Sequence, residues 1–174
     1  MNSAFVIIAL RLVHILGAIF WVGGALYNAV FLLPTVRALG PVGGQVMYQL
    51  GQVRRMPTRL LTAGVLVILS GIWLMWIASG GFRNGWMGSG PGITFSIGGT
   101  LGIIGAIYGK LGPSRLAQRA GALAAAMQSA GGPPAPEQVA EMQRIQSRLP
   151  TAVNIAAGLV VLAAAAMAVA RYVP

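Results

Sequence analysis

The sequence predicts an all-α integral membrane protein: a four-helix bundle in one domain, residues 1–174, with extra helical connections on its basic side. Two observations carry this fold class. Of 174 residues, 56% are hydrophobic and 8% charged, with a mean hydropathy of +0.76, a balance foreign to soluble domains. A hydrocarbon core about 30 Å thick needs roughly 20 helical residues, and apolar stretches of that kind lie at 5–33, 60–78, 93–111 and 151–170. The first stretch lacks a basic leading region, so it reads as a span and not as a cleaved signal peptide.

The basic residues orient these spans. The first connection, 34–59, holds Arg37, Arg54, Arg55 and Arg59, and the third, 112–150, is bounded or filled by Lys110, Arg115, Arg119, Arg144 and Arg148. The second has Arg83 alone. Basic residues collect on the cytoplasmic side of membrane proteins, which predicts both termini outside. The net charge of +10 then belongs to anionic lipid headgroups, and nucleic acid is not an expected partner. The chain has no cysteine, which excludes disulfides and thiolate-held metals or clusters.

In chain order, the first span, "RLVHILGAIFWVGGALYNAVFLLP", carries the only histidine. At 100° per residue Arg11, His14, Ala18, Trp21, Ala25 and Asn28 form one stripe, and polar groups inside a membrane turn toward protein. The connection after it predicts a short amphipathic helix following Gly44. The second and fourth spans are entered through Arg-x-Pro-Thr, with Pro57 and Pro150 suited to a first helical turn. The second ends near Trp73, Trp76 and Trp86, which read as an interfacial belt. The third places Gly98, Gly102, Gly105 and Gly109 on one face, either for close helix approach or to leave room for a flat ligand. The third connection predicts an alanine-rich helix, a Gly/Pro break and a second helix from near Glu137. Its Glu137 and Glu141 read as solvated residues of that helix.

Two halves share a pattern. "VRRMPTRLLTAGVLVIL" from Val53 aligns without gaps on "QSRLPTAVNIAAGLVVL" from Gln146, with seven identities in seventeen positions. "LGAIFWVGG" from Leu16 aligns on "IGAIYGKLG" from Ile104. Such matches arise from duplication or from the limited vocabulary of apolar helices; a duplicated pair of helices preserves orientation, which would make these parallel αα repeats. Gly102 stands where the second half would match His14.

Three readings of His14 stand side by side: an imidazole bonded to a neighbouring helix, a haem or metal ligand, and a proton-relay group. In the ligand reading Arg11 suits a porphyrin propionate, and Met75 or Met167, or Met87 in the outer loop, are candidates for an opposite ligand at similar depth. A second copy of His14 across a two-fold interface is another source.

His14-Ile15, Trp21, Gly24 and Tyr27 together resemble the first-helix signature of a group of small bacterial membrane proteins that includes HemJ-type protoporphyrinogen oxidases and CopD-like copper proteins. "RRMPTRLLTAGVLVILSGIWLMW" resembles the second helix of HemJ, and "LPT" before the last span its final hairpin. The resemblance implies a place in the bacterial inner membrane and haem b bound through His14, with Trp21 nearby. HemJ proteins carry a histidine and a lysine early in the third helix, where this chain has "GITFSIGG". That departure leaves a HemJ-type oxidase activity open, while the resemblance still implies the fold and the place of His14. Two function classes follow: a haem-binding redox protein, and a cofactor-free accessory subunit of a membrane complex. Copper handling is a third.

Overall fold

The computed structural model describes residues 3–82 and 85–174, so Arg83, the lone basic residue of the second connection, lies outside the described residues. The described chain is helical throughout, joined by short turns. Helix α1 (Ser3–Tyr27) runs through a π-helical segment, Asn28–Leu32, into α2 (Leu33–Ala38). A turn at Gly40 leads to α3 (Pro41–Tyr48), and a second π-helical segment, Gln49–Val53, leads to α4 (Met56–Ala78). After α5 (Gly90–Leu111) come α6 (Pro113–Ser129) and α7 (Pro136–Val169). Among the described residues, four continuous helical stretches are long and apolar enough to cross a membrane: Ala4–Ala38, Met56–Ala78, Gly90–Ser129 and Pro136–Tyr172. The chain therefore has the make-up of a multi-pass membrane protein.

Helix α1 packs chiefly on α4 and α5 on α7, while contacts of α1 with α7 and of α4 with α5 join the two pairs. Leu32, Leu33, Val36, Val67, Ala152, Val153, Ala157, Val160 and Ala163 are buried where these elements meet. The outward faces stay apolar: Phe5, Ile8, Leu16, Ile19, Leu69, Ile104 and Leu162 are all exposed. Large apolar surface left open is stable in lipid, not in water.

Three local expectations are corrected. The helix of the first connection begins at Pro41, ahead of Gly44, because proline fixes a helical φ at a first turn and Gly40, at φ +55°, turns the chain before it. Pro57 does open α4, but Pro150 sits inside α7. Proline removes one backbone donor there, yet the preceding turns are held in place by α6, which packs along α7. Finally, Glu141 is half-buried and not merely solvated. It bonds Arg119 of α6 at 3.0 Å and approaches Arg144 at 3.6 Å, bridging the two helices. Both arginines are largely exposed, which limits the pair to about 1 kcal/mol or less.

Arg55, immediately before α4, has φ 51° and ψ 37°. Left-handed backbone costs an L-residue about 1 kcal/mol or more, and here it bends the chain from the π-helical segment into α4.

Candidate functional site: the imidazole between helices α1 and α4

The α1/α4 seam is built from complementary residues repeating every seven positions. On α1, Gly17 receives Val67, whose Cγ2 lies 2.9 Å from where a Cβ would stand, and Gly24 receives Leu60. On α4, Gly64 lies under the Trp21 ring, and Gly71 under His14, whose Cε1 is 2.8 Å from a Cβ placed there. Each helix thus offers two glycine sockets and two knobs, which lets backbones approach closely. Position numbers across the seam sum to 84 or 85, as antiparallel helices require.

The same spacing holds His14. Its Nδ1 lies 2.9 Å from the Val67 carbonyl oxygen and 3.3 Å from Ser70 Oγ. A carbonyl only accepts, so Nδ1 carries the proton and donates it. Ser70, almost wholly buried, sends its own proton to the Leu66 carbonyl at 2.6 Å, with Val67 O at 3.1 Å. Its oxygen lone pairs thereby face Nδ1–H as well. In the neutral ring Nε2 then bears a lone pair. It has no protein partner among the described residues and is not enclosed.

The predicted stripe turns inward from His14 on: His14, Ala18, Trp21, Ala25 and Asn28 are all half-buried, whereas Arg11, one turn nearer the N-terminus, is exposed. Trp21, Ala25 and Asn28 line a cavity of about 260 Å³, together with Gly105, Gly109 and Lys110 of α5 and Val153, Ala157 and Val160 of α7. His14 is not part of its wall. The glycine face of α5 divides accordingly. A Cβ on Gly105 would lie 2.9 Å from Val160 Cγ1, whereas Gly109 has open space before it.

The methionines fall in different places. By the seam register, position 75 stands opposite position 10, one turn outward from His14 on the same face of α4. Met167 belongs to the other pair, its Cε and Cγ 3.2 Å from a Cβ on Gly98. Met87 is half-buried in the short helical turn Gly85–Gly88. Trp73 and Trp76 are exposed, and Trp86 stacks on Phe95 with ring centroids 6.1 Å apart. Among the described residues no three His, Cys, Asp or Glu side chains gather as a metal site.

Sequence reasoning missed Ser70, the Val67 carbonyl and Gly71 as partners of His14. A signal for the last existed: glycines at 17 and 24 and at 64 and 71 share the spacing of His14 and Trp21. Comparison of the chain with protein-family models, curated proteins and solved structures finds no match.

Proposed function

We propose that the chain is a four-helix bundle of the bacterial inner membrane that binds haem b, with His14 Nε2 as an axial ligand. The observation that carries this reading is the bond from Nδ1–H to the Val67 carbonyl. A metal-bound imidazole ordinarily donates its other N–H to a carbonyl or carboxylate, which fixes tautomer and ring orientation. His14 meets that requirement with its Nε2 lone pair free. Bound haem would supply one-electron chemistry, with the protein setting its potential through the axial ligands and their hydrogen bonds. The chain's own parts are assigned as follows: Val67 and Ser70 orient the ring, Gly71 gives it room, and Arg11 faces a propionate at the outer interface. Met75 is the in-chain candidate for the opposite ligand. Neither of the two described cavities borders on His14, and a second copy could supply its own His14 across a two-fold interface.

A second reading is a cofactor-free accessory subunit in which His14 only ties α1 to α4, through its bond to the Val67 carbonyl. An absorbance spectrum of detergent-purified protein from haem-replete cells separates them. A Soret band that moves on reduction supports the first, and a featureless spectrum above the protein band rejects it. Copper in place of haem would appear in elemental analysis without a Soret band.

The seam also supports internal duplication. The sequence alignment maps α1 to α5 by adding 88 and α4 to α7 by adding 93, so Gly17 with Val67 becomes Gly105 with Val160. Both contacts occur, each at 2.9 Å. Leu60 becomes Val153, Gly64 and Gly71 become Ala157 and Ala164, and His14 and Trp21 become Gly102 and Gly109. Where a large knob is missing, its socket holds an alanine, and the space left at Gly109 opens on the cavity. The second half thus matches the Gly17–Val67 contact and lacks the imidazole, while Gly112, where Gly24 maps, meets Tyr108 and not Val153.

Orientation is testable in whole cells. Cysteine placed at position 85 is expected to react with an impermeant reagent and cysteine at 135 to be protected. Both sites are exposed on the surface, and the opposite labelling pattern would reverse the topology.

A further inference from the structure

On the outer side of the same seam, at its basic end, lies an open groove of about 390 Å³ lined by Phe20 of α1 and by Arg55, Thr58, Arg59, Thr62, Ala63 and Leu66 at the start of α4. Thr58, Arg59 and Thr62 follow helical spacing and so share one face, and Arg55, left-handed just before the helix, lines the same groove. One turn deeper the wall becomes apolar, with Phe20, Ala63 and Leu66. Neither guanidinium has an acidic partner among the described residues. The chain holds two acids in all, and Glu141 is bonded to Arg119 and Arg144. The Thr58 and Thr62 hydroxyls likewise have no protein partner among the described residues, whereas Ser70, Thr94 and Ser96 return theirs to carbonyls four residues back. Arg55 occupies its place at the cost of a left-handed backbone, and strain of this kind is kept where a side chain is needed in one position.

We propose that this groove binds one anionic phospholipid, its phosphate between the Arg55 and Arg59 guanidiniums and the two threonine hydroxyls, and one acyl chain along Phe20 and Leu66. Two forked cations with neighbouring hydroxyls match phosphate oxygens. A polar end continuous with an apolar wall selects an amphiphile over a free anion. The site is independent of His14 and of any cofactor.

Native mass spectrometry of the delipidated full-length protein, titrated with phosphatidylglycerol or phosphatidylcholine, reads the occupancy directly. Wild type is expected to retain phosphatidylglycerol about tenfold better than phosphatidylcholine. Arg55→Gly combined with Arg59→Gln should erase that preference, while Arg37→Gln should keep it. Arg55→Gly alone should not lower thermal stability, since glycine adopts the left-handed backbone freely, so a loss of lipid there is not a loss of fold. Equal retention of the two lipids, an unchanged preference in the double variant, or an equal loss in Arg37→Gln would overturn the proposal. Displacement of the lipid by inorganic phosphate would assign the site to a free anion and overturn it too.

Discussion

If the chain binds haem as proposed, His14→Ala is expected to abolish the Soret band while helix content stays unchanged and stability falls by about 1 kcal/mol or less. The two effects separate because the ring contributes little to the fold. It makes one interhelical hydrogen bond to Val67 O with a longer contact to Ser70 Oγ, and such bonds in membrane proteins average about 0.6 kcal/mol. The seam keeps Val67 in Gly17, Leu60 in Gly24 and Trp21 on Gly64. Haem retention, by contrast, would lose its protein ligand outright. Gly71→Ala provides the graded companion. Its new methyl would stand 2.8 Å from His14 Cε1, so the ring must shift and its bond to Val67 O must lengthen. The expected result is an altered spectrum with the haem still bound. If neither substitution changes any absorbance, and His14→Ala shows only the small stability loss, the accessory reading holds instead.

Gly105→Val and Gly17→Val are expected to destabilise the protein by about 1–3 kcal/mol each, measured as the shift in detergent-denaturant unfolding. At both positions the added Cβ would meet a valine methyl at 2.9 Å. Valine in a helix is held to one rotamer, so Val160 and Val67 cannot swing aside and the helices must part. The two sites lie in different helix pairs, and the double variant should lose close to the sum. Gly158→Val, at an exposed position with nothing within 4 Å, should change stability by no more than about 0.5 kcal/mol. Equal sensitivity at 17 and 105 is what duplicated packing requires. A Gly105 variant as stable as the Gly158 control would show that α5 and α7 do not meet there.

What this sequence determined by itself is whatever hydropathy and periodicity encode locally. A hydrocarbon core demands length and apolar composition from each segment separately, so four candidate spans were legible in the composition alone. The inward stripe of α1 followed from helical geometry acting on residues a few positions apart, and the break between α6 and α7 from glycines and prolines at 131–134. Tertiary structure decided what depends on a partner far along the chain. Nothing near His14 indicates that Val67 and Ser70 would set its tautomer. Glu141 looks like a solvated acid until α6 brings Arg119 within 3.0 Å. Pro150 carries a local signal to begin a helix, yet α7 continues through it because packing against α6 holds the turns before it. The glycines of α5 look alike in sequence. Gly105 closes on Val160 while Gly109 faces a cavity, because what each one meets is set by side chains on α7 and α1.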